Sequence, residues 1–362
     1  MLNFTPEAYP QLLAEKAEEL RQQFAPLQAP ELEVFASDPA YFRMRAEFRL
    51  WHEGEDLYYA MYEPGEGRKH YRVDQFPIAG RLINELMPKL LDAIRDKEIL
   101  RFKLFQVDFL TTLSGQALIS LLYHKPLDET WLEQAHWLRE HLGVELVGRS
   151  RKKKFKVKQD WVEETLTVEG RQLHYKQVEN SFTQPNAKVA EAMLEWALSV
   201  SREEGLAGDL LELYCGNGNF SLALASHYRR VLGTEIAKSS VYAAQYNIER
   251  NHIDNVRIGR MSSEEFSAAM LGQGGGFRFS ELNLADYDFT TVLVDPPRAG
   301  LDEDTIELVR RYQHILYISC NPDTLFANVE ALADTHRIAR FALFDQFPYT
   351  HHKEAGVLLV AK

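Results

Sequence analysis

Cysteine is nearly absent: Cys215 and Cys320 are the only two among 362 residues. They stand far apart and outside any Cys-x-x-Cys spacing, so neither a disulfide framework nor a cysteine-ligated metal or iron-sulfur cluster is suggested. Long apolar runs are missing too. No stretch approaches the ~20 residues of a membrane span, and the opening MLNFTPEAYP lacks the basic-then-apolar layout of a signal peptide, so a cytoplasmic protein without membrane contact is expected. Positive charge is in deficit, with 41 Lys and Arg against 53 Asp and Glu and a net charge of -12. So acidic a chain does not coat nucleic acid through bulk electrostatics, and any RNA site must be locally basic. The run GRSRKKKFKVK is such a place, crowding Arg149, Arg151, Lys152, Lys153, Lys154, Lys156 and Lys158. It reads equally as a phosphate contact or as a sheet edge guarded by lysines.

The length allows two domains, each with its own core. A helical pattern over Pro6 to Phe24 opens the chain. Strand-like runs RMRAEFRLW and DLYYAMYEP follow, then a helix around Arg81 to Arg95 and strands in KLFQVDFLTTLSG and ALISLLYH. After a helix near Glu129 to His141, the strands VELVGRS and KKFKV and the hairpin ETLTVEGRQLHY complete an α+β half, residues 1–180. From residue 181 to 362 helices and strands alternate, which predicts a doubly wound, mostly parallel α/β sheet. The tail RFALFDQFPYTHHKEAGVLLVAK joins its two strands by a polar turn, so the last strand should enter the sheet antiparallel.

In the second half, the strand DLLELYC runs into Gly216-Asn217-Gly218-Asn219-Phe220 and a helix, a context that lets the backbone approach a ligand closely. Glu235 ends the next strand about 20 residues on, where a carboxylate can accept both ribose hydroxyls. The third glycine of the dinucleotide fingerprint is missing, so S-adenosylmethionine, which lacks a pyrophosphate, fits better than NAD. Asp295-Pro296-Pro297-Arg298 closes another strand at the same ligand-binding edge, although Asp and two prolines also make an ordinary rigid turn.

Cys320 ends the apolar run HILYIS just before Asn321-Pro322, which puts its thiol at that edge. A lone cysteine is more often inert and buried, the reading that suits Cys215. A thiolate at Cys320 could add to C6 of a pyrimidine and make C5 nucleophilic enough to take a methyl group from a sulfonium. The C5 proton must then leave. Glu354 is the preferred base, with His351 and His352 of the same turn as alternatives. Cys320 also needs activation, since only a few per cent of an ordinary thiol ionises at neutral pH; Arg298 is a neighbouring cation that could also bind RNA, as donor to the uracil enolate or to a phosphate. In the first half, Phe105 and Phe109 share a face by strict alternation and could stack on bases; Arg43, Arg45 and Arg49 alternate likewise and could meet phosphates, as could Lys152 and Lys154.

Together FTQPN, LELYCGNGNF, TEIAKSSVYAAQYN, VDPPRAGL, ISCNP and HHKEAGV resemble the RNA 5-methyluridine methyltransferases. RMRAEFRLWHEG, KLFQVDFLTTLSGQA and SLLYHK resemble the bacterial tRNA (uracil-5-)-methyltransferase branch, which acts on the T-loop uridine. The resemblance implies a class I, Rossmann-like methyltransferase domain behind an α+β RNA-recognition domain, working as a monomer on the tRNA T-arm and on that of transfer-messenger RNA. It implies cofactor contact by Gln184, Tyr214, Asn219, Glu235 and Asp295 beside the Gly216 turn, Cys320 as nucleophile and Glu354 as proton acceptor. The ribosomal RNA enzymes of the family typically carry an iron-sulfur cluster, for which this chain has no cysteines to spare. Two rival readings remain: a tRNA-binding and remodelling protein with methylation secondary, and a small-molecule methyltransferase, which would not need the strand-rich first half.

Overall fold

The computed structural model describes residues 4–63, 69–151, 153–273 and 277–362. The chain divides into two compact units, and neither is continuous in sequence. Asp38–Thr165 and Gln177–Ala187 belong to the first; Glu7–Ser37, Leu166–Lys176 and Lys188–Lys362 belong to the second. This differs from the single crossing expected between residues 180 and 181. The reason is the apolar face of the helix Tyr9–Phe24, preceded by a 3-10 turn at Pro6–Ala8. Ala17, Leu20 and Phe24 on that face are buried in the core of the second unit with Leu211, Val292 and Phe341, so the helix joins the part of the chain farthest from it in sequence.

The first unit is built on a seven-stranded sheet in the order His70–Val73, Asp56–Tyr62, Arg45–Glu53, Leu104–Thr111, Ala117–Tyr123, Glu145–Ser150 and Lys153–Lys156. All neighbours are antiparallel except Ala117–Tyr123 and Glu145–Ser150, which the helix Glu129–Leu142 connects in parallel. Asp128 caps that helix by accepting from the Trp131 N–H at 2.9 Å, and Gly143, at φ 66, ends it. Trp131 is 1% exposed and occupies the space a side chain at Gly148 would need. A Cβ there would lie 2.2 Å from Trp131 Cη2 and 2.8 Å from Leu127 Cδ1. Gly148→Ala is therefore expected to destabilise this unit by about 1–3 kcal/mol, read as a lower midpoint of the urea transition followed by tryptophan fluorescence.

One sequence expectation in this sheet is corrected. Phe105 and Phe109 do not share a face, because the pairing of Leu104–Thr111 with Ala117–Tyr123 shifts by a residue between Leu104 and Gln106. A bulge of one residue reverses the alternation. Phe109 is buried against Phe48 and Tyr59, whereas Phe105 is half-buried and lies under Arg49.

The second unit contains the α/β sheet that the alternation of elements predicted. Its eight strands run Leu32–Phe35, His336–Phe344, Glu354–Ala361, His314–Ser319, Phe289–Val294, Asp209–Leu213, Arg230–Glu235 and Val256–Arg260. Glu354–Ala361 is antiparallel to both neighbours, as expected of the last strand, and the other pairings are parallel. The short strand Leu32–Phe35 extends the edge in parallel with His336–Phe344. From Asp209–Leu213 the chain winds outward through two strands, then returns to place Phe289–Val294 on its other side. This reversal opens a crevice at the carboxyl ends of the two central strands, where ligands of open α/β sheets bind. Among the described residues no helix is long and apolar enough to cross a membrane.

Candidate active site

At the crevice, Asp209–Leu213 ends in Tyr214, Gly216 and Gly218, all with positive φ of 62, 56 and 82°, before the helix Asn219–Leu224 begins. Glycine carries two of these left-handed turns without steric cost. A Cβ on Gly218 would come within 2.7 Å of Leu222 Cδ1, while a Cβ on Gly216 would meet nothing within 4 Å, leaving open space over the backbone. Two groups hold the turn. Glu235 accepts from the Gly216 N–H at 3.0 Å and from the Ala237 N–H at 2.6 Å. The fully buried Asn247 donates to the Asn217 carbonyl at 2.9 Å and accepts from the Lys176 N–H at 2.7 Å. Nothing in the helical pattern of SSVYAAQYNIERN marked Asn247, apart from an amide being a poor helix-interior choice.

Around this turn the ionisable groups are carboxyls: Glu235 at the end of its strand, Asp295 across the crevice and, buried beneath, Glu212, which burial favours in its neutral form. Glu212 is 1% exposed, accepts from the Ser221 hydroxyl and is raised to about 8, chiefly by burial. Residues 214–219 include no cation. Such a set of acceptors suits a ligand with ribose hydroxyls and a positive charge and disfavours a pyrophosphate, so the residues present fit S-adenosylmethionine. Tyr214 is partly buried with its hydroxyl raised to about 12 by burial, and the Asn219 carbonyl accepts from Tyr175 at 3.0 Å. Gln184 falls in the first unit, unlike the other cofactor candidates. Cys215 is 3% exposed with its thiol raised by burial, the state of an inert core cysteine.

The register of the central strands brings the reactive candidates together. His314–Ser319 pairs with the last strand as far as Ser319 and Ala355, so Cys320 and Glu354 are the residues that follow this last pair, and the Glu354 charge acts on the Cys320 thiol. On the other side Val294 pairs with Tyr317, and Asp295 leaves its strand one residue further on. Glu354 is 4% exposed. Burial raises Asp295 and Glu354, and the Asp295 charge raises Glu354 further.

Cys320 is half-buried, and its thiol is raised by burial, then by Glu354 and Asp295; Arg298 pulls the other way. The neighbouring guanidinium thus does not by itself turn the thiol into a thiolate. The helix Pro322–Leu332 begins two residues after Cys320, and the positive end of its dipole favours a thiolate there. Asn321 joins the two turns of the site. Its side chain caps this helix at the Asp323 N–H and donates to the Arg298 carbonyl at 2.9 Å, while Thr324 donates to the same carbonyl at 3.2 Å. The local signal for it was a cap residue followed by proline at the first helical position. Arg298 Nη2 lies 2.7 Å from His352 Nδ1, and His351 is exposed.

The first-unit candidates are largely engaged within the fold. Lys154 lies 2.6 Å from Asp160 and 2.9 Å from Glu179, and Arg149 binds Glu179 in a bidentate pair at 2.6 Å. Arg43 donates to the Arg45 carbonyl at 2.9 Å and is lowered by burial; Arg45 donates to the Ser181 carbonyl at 3.0 Å. Phe105 stacks on His124 with centroids 3.8 Å apart. Lys152 lies outside the described residues. Among the described residues no group of three His, Cys, Asp or Glu could hold a metal ion.

The family model described as tRNA (Uracil-5-)-methyltransferase matches residues 8–362. The chain is 58% identical to a tRNA/tmRNA (uracil-C(5))-methyltransferase of Vibrio vulnificus, over 100% of this chain and 99% of the relative. It is 56% identical to the protein of the same description from Shewanella amazonensis, over 98% and 97% of the two chains. Its fold is similar to the crystal structure of Pyrococcus abyssi tRNA (uracil-54, C5)-methyltransferase in complex with S-adenosyl-L-homocysteine. There the TM-score is 0.74 at 21% identity, covering 97% of this chain and 83% of that one. The chain belongs to the tRNA (uracil-5-)-methyltransferase family.

Proposed function

We propose that the protein methylates carbon 5 of uridine 54 in the T-loop of tRNA, and of the equivalent uridine in transfer-messenger RNA, with S-adenosyl-L-methionine as donor. The descriptions of its relatives support the substrate, and we take the enzyme to act as a cytoplasmic monomer. The observation that supports the chemistry is the register that brings the ends of three neighbouring strands together, from which Cys320, Glu354 and Asp295 follow at one sheet edge.

Cys320, ionised with help from the helix dipole and Arg298, adds to C6 of the extruded uracil. The C6–S bond forms and the C5=C6 electrons move toward the C4 carbonyl. C5 of the resulting enolate would take the electrophilic methyl group that the cofactor supplies on a positively charged sulfur, the electrons of the broken sulfur–methyl bond staying on the sulfur. Glu354 then takes the C5 proton, the C5=C6 bond reforms and the Cys320 thiolate leaves. The burial that raises Glu354 also makes it a strong base once ionised. Unstacking the target costs a few kcal/mol, which RNA contacts must offset. Phe105 and the basic run of the first unit are our candidates for those contacts. Tyr214, Gly216, Asn219, Glu235 and Asp295 of the second unit hold the cofactor. Glu235→Ala is expected to weaken S-adenosylhomocysteine binding about 10–100-fold in calorimetry, the value of one or two hydrogen bonds to a charged group.

T-arm RNA with 5-fluorouridine at the target tests the reading, because fluorine cannot leave as a proton does. With S-adenosylmethionine present, a stable adduct should form and map to Cys320 by mass spectrometry. RNA binding without an adduct would discard the covalent mechanism and put the binding-and-remodelling reading first.

A further inference from the structure

The helix Tyr9–Phe24 reaches into the second unit with more than apolar side chains. Lys16, only 7% exposed, donates to Asp345 Oδ1 at 2.8 Å and to the Phe347 carbonyl at 2.8 Å. Three residues along the same face, Glu19 pairs with Lys353 at 2.7 Å. Two turns earlier, the Tyr9 ring lies 5.9 Å from that of Tyr349, a residue at φ 64. All four partners belong to residues 345–353, the connection between the last two strands. The Asp345 N–H also donates to the Phe35 carbonyl at 3.0 Å. The amino-terminal segment thus grips this connection from its first residue to its last.

Stability is a poor explanation for the Lys16–Asp345 pair. Both side chains lie out of water, at 8% and 1% exposure, with the Tyr9 hydroxyl also against Asp345. A buried ion pair contributes little over an apolar pair of similar volume; what it does enforce is one geometry. That geometry matters because Glu354 is the first residue after the connection and pairs directly with Phe344, the residue before it. Cys320 is held differently, by the cap at Asn321 and the Arg298 carbonyl.

We propose that Lys16 and Asp345 are positioning residues for proton removal: through the 345–353 connection they fix Glu354 against Cys320, making the amino-terminal helix part of the catalytic apparatus. The proposal rests on the roles given to Cys320 and Glu354 above. Its consequence is specific to one step. Addition and methyl transfer need Cys320 and should persist without the pair, whereas loss of the C5 proton, and with it release of the RNA, should slow.

The test uses full-length Lys16→Met and the double variant Lys16→Met/Asp345→Leu, in which no buried charge is left unpaired. Each is given ordinary T-arm RNA and labelled S-adenosylmethionine. The expected result is a burst of about one methyl per enzyme, steady turnover at least tenfold slower than wild type, and a covalent protein–RNA band that wild type does not accumulate. The double variant should show this while keeping the wild-type melting temperature. Burst and turnover falling together with no covalent band, or both unchanged, would overturn the proposal. Wild-type protein with 5-fluorouridine RNA is run alongside. If it forms no adduct, the covalent reading itself fails, an outcome distinct from a variant that behaves like wild type.

Discussion

Glu354→Gln protein should transfer about one methyl group per molecule and then stop, with RNA bound covalently through an unmodified, non-fluorinated target. The glutamine side chain keeps the shape at the start of the last strand but cannot accept the C5 proton. Steady turnover is expected to fall by about 10²–10⁴-fold, the usual contribution of a positioned general base. A denaturing gel for the adduct and a count of methyl groups per enzyme read the result. The neighbouring histidines predict otherwise. If His352 were the base, Glu354→Gln would retain turnover within a few-fold, and His352→Ala would give the stalled adduct instead. The geometry argues against that, because His352 Nδ1 lies 2.7 Å from Arg298 and burial, His351 and Arg298 lower its basicity.

Cys320→Ala should abolish methylation, with a loss on the order of 10⁴-fold or more, as for removal of other covalent nucleophiles. No adduct should form with 5-fluorouridine RNA. Binding of S-adenosylhomocysteine should stay within a few-fold of wild type, since the glycine turn is held by Glu235 and Asn247 rather than by the Cys320 loop. Cys215→Ala is the control. Its thiol is buried against the strand that contains Gly233, and the variant should still form the adduct. Loss of the adduct in both variants through misfolding would show as lost cofactor binding, which keeps the two causes apart.

Much of the site was legible before the fold, because its signals are local. A strand that breaks at Gly216 and Gly218, a carboxylate ending the next strand, Asp-Pro-Pro-Arg and Cys-Asn-Pro each declare a turn at the same sheet edge. The antiparallel last strand was legible for the same reason, since a polar turn cannot make the crossover a parallel pair requires. The basic run was less telling. Its composition shows seven cations but not that Glu179 and Asp160 neutralise Arg149 and Lys154. The alternation of Phe105 and Phe109 failed at a single inserted residue.

The sequence by itself determined the second unit's fold class, the glycine turn and the two turns bearing Asp295 and Cys320, because these depend on backbone preferences and hydrophobic periods spanning a few residues. Only the tertiary structure decided that Cys320 and Glu354 come to the ends of neighbouring strands and that Lys16 meets Asp345, 329 residues along the chain. It also decided that the amino-terminal helix packs with the catalytic sheet rather than with the strands that follow it. Pairings of that kind are chosen by which apolar faces and strand edges can be buried together, a property of the whole chain that no short spacing encodes.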